Sequence, residues 1–160
     1  MTEQDASDGA GDGESPLSFA RQVADAMYAK DVAAQNMGIK LSKISPGYAV
    51  MTMLVSDKML NGHAICHGGY IFALADTAFA FACNTANITT VTLANNITFL
   101  APAKEGDMLT AVAEVQNQAG RTGLCDVIIS NQEGTKIAMV RGNSYRLKSK
   151  IVEGMPSVDL

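Results

Sequence analysis

The chain has 160 residues, enough for one domain of ordinary size, and 48% of them are hydrophobic, which supports a sizeable core. A net charge of −4 with no cluster of Lys and Arg argues against nucleic acid as a partner. The three cysteines, at irregular spacing, fit buried free thiols in a reducing compartment better than a disulfide framework, and no basic and apolar leader directs export, so a cytoplasmic protein is expected.

Residues 1–15 hold five acids, no bases and almost nothing large and apolar, so an acidic, disordered arm is expected there. Ser15-Pro16 offers an N-cap followed by Pro at the first helical position. Leu17, Ala20, Val23, Ala24, Met27 and Tyr28 then mark one helical face, and Gly38 is the natural stop. A strand near Ile39–Ile44, a turn at Pro46-Gly47 and a strand over Tyr48–Val55 follow. The segment Gly68–Ala86, rich in Ala and free of Pro, reads as a long helix wrapped by other structure. Its apolar run Tyr70–Cys83 is too short to span a bilayer, which takes about 20 apolar residues, so no membrane partner is expected.

After Asn87 the β-branched content rises, and strands are expected at 89–101, 107–118, 122–131 and 135–147, joined by short turns and paired as a meander. In the second of these, Leu109, Ala111, Ala113 and Val115 alternate with polar residues, the period of a half-buried antiparallel strand. The order of elements predicts an α+β domain over 16–148, one antiparallel sheet wrapped around one long helix, with a loose tail at 149–160. The uncovered sheet edge invites a second copy of the chain.

Between Lys58 and Lys104 one charged residue occurs, Asp76, in the middle of the apolar helix. Burying a carboxylate there costs several kcal/mol unless it is paired or hydrogen-bonded, and a sequence selected for folding alone would place Ala or Leu. Asp76 therefore reads as a nucleophile or a general base. The alternative is a structural Asp bonded to backbone or to Ser/Thr. Upstream, His67-Gly68-Gly69 opens the same helix. The Gly68 N–H is one of the orphan donors at the positive end of the helix dipole and suits an oxyanion hole, unless the glycine pair is only a turn.

Gly68 and Asp76 are eight residues apart, about 12 Å along a helix, too far for one small carbonyl to touch both. If both act on one carbonyl, Asp76 comes from a symmetry mate, and a homodimer is the minimal active unit. Asn61 can orient a water or a substrate carbonyl, or simply build an Asn-Gly turn. His67 can fix the loop or contact substrate. Thr92 can donate to a water near Asp76, or stand there as a strand former. Gly69, Arg121 and Thr122 are assigned to substrate binding, Arg121 with Lys104, Arg141 and Arg146 among the cations able to meet phosphates. His63, Cys66 and His67 match none of the common zinc spacings, so no metal and no other cofactor is expected.

The stretch from Asn61-Gly-His through His67-Gly68-Gly69 to Leu-Ala-Asp76-Thr-Ala-Phe-Ala, with Phe99-Leu-x-Pro102 and Arg141-Gly-x-Ser-Tyr-Arg146, closely resembles the hot-dog-fold acyl-CoA thioesterases of the phenylacetate-degradation, PaaI-type, branch. The resemblance runs from about Ala24 to Arg146. It implies dimers sharing a continuous sheet, a homotetramer, and acyl-CoA as substrate, phenylacetyl-CoA and its ring-hydroxylated forms above all. By position it gives Gly68 the oxyanion-hole role, Asp76 that of base or nucleophile, and Asn61 and His67 orienting roles. Thr92 falls where some relatives hold water with Ser or Thr. A non-catalytic acyl-CoA sensor on the same fold is the alternative, although a sensor would typically lack the acid.

Overall fold

The computed structural model describes residues 14–160; most of the expected acidic arm lies outside them. Helix α1 (Pro16–Tyr28) begins as its sequence requires, with Ser15 Oγ accepting from the Ser18 N–H. It stops ten residues before Gly38. Asp31 accepts from the Ala34 N–H at 2.9 Å and starts a separate short helix, α2 (Val32–Asn36), and Gly38, with φ +68°, then turns the chain out of that one. A capping carboxylate has divided one expected helix in two.

Strands β1 (Lys40–Ser45) and β2 (Tyr48–Leu54) form a hairpin, and a 3-10 turn (Asp57–Met59) leads to the central helix α3 (Gly68–Asn84). Strands β3 (Thr90–Phe99), β4 (Met108–Ala119), β5 (Thr122–Ser130) and β6 (Lys136–Arg146) complete one antiparallel sheet in the order β1-β2-β4-β5-β6-β3. The expected meander holds for β4, β5 and β6, but β3 pairs with β6 at the edge instead of with β4.

The cause is at the helix end. Asn84 closes α3 onto the start of β3, its Oδ1 accepting from the Thr90 N–H and its Nδ2 donating to the Thr90 carbonyl. Strand β3 must then run back along α3, and residues 100–107 cross the mouth of the sheet, tied by Cys66 N–H to the Ala103 carbonyl and Val55 N–H to the Asp107 carbonyl.

The sheet wraps α3 on the side of Ile71, Leu74, Ala75, Ala78, Phe79 and Ala82, against Met51, Met53, Leu109, Ala111, Val127 and Ile129, all buried. Each large side chain removed from water in this way contributes about 1.5–3 kcal/mol. The helix is not wrapped all round, however. Gly69, Phe72, Ala73, Asp76, Thr77 and Ala80 form a stripe that remains partly exposed in the protomer, and Asp76 is half-buried rather than buried. The tail is not loose either. Asn87, buried in the left-handed region at φ 58°, donates to the carbonyls of Val152, Met155 and Pro156 and accepts from the Val152 N–H. This side chain, together with the Val158 N–H bonded to the Ala86 carbonyl, ties the tail to the turn after α3.

Candidate active site

Helix α3 runs antiparallel to β3, so the two candidate groups on it meet opposite ends of that strand. Gly68 lies under the ring of Phe99, and Asp76 lies beside Thr92 and Asn95.

At the Gly68 end the loop from Leu60 to Cys66 is closed by a β-bridge between those two residues. Asn61 shapes it, its Oδ1 accepting from the N–H of His63 at 2.9 Å and of Ile65 at 3.4 Å. The Asn-Gly turn reading is therefore realised, while the same side chain also lines the cleft described below. His67 is the N-cap of α3: its Nδ1 accepts from the Gly69 N–H at 2.9 Å. That leaves Nε2 to carry the ring proton. The Gly69 N–H, assigned to substrate from the sequence, is thus engaged by His67. The Gly68 N–H has no acceptor among the described residues.

A Cβ at Gly68 would stand 2.9 Å from Phe99 Cζ, so the glycine keeps this donor open under an aromatic ring. Beside it lies an apolar cleft of about 610 Å³, lined by Asn61, Cys66, Gly68, Ile71, Phe99 and Pro102 among others. An unpartnered N–H at a helix N-terminus, at the edge of an apolar cleft, can stabilise negative charge on a carbonyl oxygen of an apolar acyl group.

At the Asp76 end, Oδ1 accepts from Thr92 Oγ1 at 3.1 Å and from Asn95 Nδ2 at 3.0 Å. Oδ2 has no hydrogen-bond partner among the described residues. One oxygen is anchored and the other is free. Thr92 was expected to hold a water near Asp76, and it bonds the carboxylate itself. Asn95 was not foreseen at all.

Arg121 and Thr122 sit at the β4–β5 turn, where the Arg121 carbonyl accepts from the Arg146 N–H and Arg146 pairs with Thr90 at the start of β3. They therefore flank the Asp76 end of the protomer and do not line the Gly68 cleft. Arg141 is taken up on the outer face by a bidentate pair with Asp126, at 2.7 Å for both bonds.

The three cysteines are free and buried. Burial, and then the charge of Asp107, push the Cys66 thiol above its ordinary range, which is the wrong direction for a nucleophile. Among the described residues no three His, Cys, Asp or Glu side chains are grouped to hold a metal ion, and no helix is long and apolar enough to cross a membrane.

A six-stranded antiparallel sheet wrapped around one long helix is the hot-dog architecture of the thioesterases. The chain belongs to the thioesterase superfamily, whose family model matches residues 63–138, and is an enzyme of that thioester-hydrolysing class. It is similar to the acyl-coenzyme A thioesterase PaaI of Escherichia coli (strain K12), 47% identical over 130 residues that cover 81% of this chain and 93% of the relative. The solved structure of the E. coli PaaI protein from the phenylacetic acid degradation operon superposes with a TM-score of 0.84 at 46% identity, covering 85% of this chain and 99% of that one. A second similar structure, smu.793 from Streptococcus mutans UA159 bound to acetyl CoA, gives a TM-score of 0.68 at 27% identity, covering 70% and 90% of the two chains.

Proposed function

We propose that this enzyme hydrolyses acyl-CoA thioesters, aryl-acetyl-CoA such as phenylacetyl-CoA or its ring-hydroxylated forms above all, at sites built between two copies of the chain. The observation that carries the reading is the pair of unpartnered groups on α3, the Gly68 N–H and Asp76 Oδ2. They lie eight residues apart, about 12 Å along the helix, and so serve one carbonyl only when they come from different protomers.

The free edge of β3, with Val91 and Leu93 exposed, and the partly exposed stripe of α3 that carries Asp76 form one continuous surface for the second copy. Two such dimers make the homotetramer that the family resemblance implies. In the dimer the Gly68 cleft of one protomer receives the acyl group, and the partner contributes its carboxylate together with its Arg121-Thr122 turn, where the guanidinium can meet a CoA phosphate. The aromatic substrate class rests on the apolar cleft beside Phe99 and on the operon named for the E. coli relative. Free cysteines agree with a cytoplasmic site of action.

The thioester carbonyl accepts from the Gly68 N–H, which stabilises the oxyanion as it forms. Two routes are open to Asp76. As nucleophile, Oδ2 attacks the carbonyl carbon, the C–S bond breaks, CoA leaves as the thiolate, and water cleaves the resulting anhydride. As base, the carboxylate takes a proton from water, the hydroxide attacks, and the departing thiolate receives that proton. Both give the free acid and CoA.

Thiol release from phenylacetyl-CoA, ring-hydroxylated phenylacetyl-CoA, benzoyl-CoA and straight-chain acyl-CoAs tests the reading. Release fastest from an aryl-acetyl thioester, and abolished by Asp76→Asn, supports it. Tight binding without release by the unaltered protein would leave a sensor instead. Single-turnover reaction in heavy-oxygen water separates the two routes, because only the nucleophilic one exchanges an oxygen of Asp76 with solvent.

A further inference from the structure

The geometry points to Asn95 as a positioning residue for the reaction: it holds Oδ1 of Asp76 so that Oδ2 alone is presented to the substrate or to the attacking water. This deepens the reading above and rests on Asp76 being the reacting carboxylate.

Three observations converge on it. The first is the strand register. Thr92 and Asn95 are three residues apart, and in an unbroken strand they would point to opposite faces of the sheet. The register between β3 and β6 slips at this point, Thr92 facing Ser144 while Ala94 faces Asn143 and Asn95 faces Gly142. The extra residue, Leu93, is thrown outward and is exposed, so that Thr92 and Asn95 both turn towards α3 and both donate to the same oxygen. Bulges that re-aim side chains are a recurrent feature beside active sites.

The second observation is the far side of the Asn95 amide. Its Nδ2 is committed to Asp76, which fixes which way the amide lies, since the reverse orientation would set oxygen against carboxylate. Its Oδ1 is then buried and without a partner among the described residues. A fold under no other constraint would place an apolar residue here and avoid the orphaned acceptor.

The third is Gly142, directly opposite on β6. A Cβ there would overlap the Asn95 amide oxygen and stand 2.7 Å from Phe79 Cε2. The glycine leaves the gap that the orphaned oxygen fills. Bulge, amide and gap together seat one donor on one oxygen of Asp76.

Both ends of the Asn95 amide are committed, Nδ2 to Asp76 and Oδ1 buried against Gly142, and so Asn95 acts through Asp76 rather than on the substrate. Replacing it with Ala removes that donor and frees the Asp76 carboxylate to rotate. In Asn95→Ala, kcat is expected to fall roughly 10- to 100-fold with KM within about threefold of wild type. Asn95→Asp is the same size, keeps the fit to Gly142, and guards against a variant that fails to fold. It sets a carboxylate oxygen where the donor stood, 3.0 Å from Asp76 Oδ1, so kcat is expected to fall at least as far as with Ala.

An unchanged kcat in both variants, with or without a rise in KM, overturns the proposal. A fall in melting temperature with kcat intact also overturns it, by showing a structural role only. Asp76→Asn is measured alongside. If that variant retains activity, the reading of the site is what has failed. If it is inactive while Asn95→Ala behaves as wild type, only the role of Asn95 has failed.

Discussion

The two reactive points on α3 are built in opposite ways. Around Gly68 the side-chain hydrogen bonds are local in sequence. Asn61 folds the loop onto His63 and Ile65, and His67 caps the helix through Gly69, all within nine positions of the chain. Around Asp76 nothing is local except the helix itself. Its partners lie 16 and 19 residues downstream on β3, and the gap that admits one of them is opened by Gly142 on β6. A backbone donor needs only a helix end that is left unsatisfied, which a short loop can supply. A half-buried carboxylate with one oxygen held and one free needs side chains brought in from across the sheet.

That contrast breaks first at Asp76. Substituting Asn preserves the shape and an acceptor for Thr92 but removes the nucleophile or base, so kcat should drop by about 10³-fold or more, with the melting temperature close to wild type. Gly68→Ala should cost less, roughly 10- to 100-fold, because the N–H survives and the new methyl group crowds the carbonyl and the Phe99 ring instead. The two variants sharpen the comparison further when mixed. If each site takes Gly68 from one protomer and Asp76 from its partner, a heterodimer of the two variants holds one fully native site and recovers about half the activity of a native dimer. Mixtures that recover nothing would place both groups within a single protomer and remove the reason for a composite site.

His67 comes next. The cap is a local device, and losing it should be felt as stability before it is felt as chemistry. His67→Ala is expected to destabilise the fold by about 0.5–2 kcal/mol in denaturant titrations, with kcat lowered by less than in Gly68→Ala because the Gly68 N–H stays at the helix end. A loss of kcat as deep as that of Asp76→Asn would instead give His67 a direct part in the reaction.

The same division explains what could be read from the sequence. Helix α3, the hairpin of β1 and β2, the run of β4 to β6 and the glycine at the helix start all follow from periodicity, turns and caps, which act over a few residues. Asp76 was visible because a lone charge in an apolar helix has no folding rationale. The edge position of β3 was not visible, since it rests on the pairing of β3 with β6, which follows two strands later in the chain and leaves no local signal. Asn95 was hidden for a sharper reason. Counting in twos from Thr92 puts Asn95 on the wrong face, and only the register slip at Leu93 reverses it. The docked tail was misread because its polar, Pro-containing composition gives no sign that Asn87 collects its carbonyls.

The smallest expected effect lies on the outer face of the same two strands, and it asks whether disturbing β6 beside Gly142 is enough to disturb the site. Asp126 on β5 stands directly opposite Arg141 on β6, and the hydrogen bonds from that guanidinium hold the Asp126 carboxyl below the usual carboxylate range. A carboxylate whose folded value is depressed stabilises the fold fully above its unfolded value of about pH 4, and loses that contribution as pH falls through the lower, folded value. The pair is solvent-exposed on the arginine side, so the contribution is small and sensitive to salt. Asp126→Asn should therefore lower the melting temperature slightly at pH 7, and the gap from wild type should close as pH falls below about 4 and narrow in high salt. Because the change leaves Gly142, Asn95 and Asp76 on the inner face untouched, kcat should stay at the wild-type value. A fall in kcat here would mean that the inner face responds to any disturbance of β6, and would remove the distinction between a seated carboxylate and a generally fragile sheet edge.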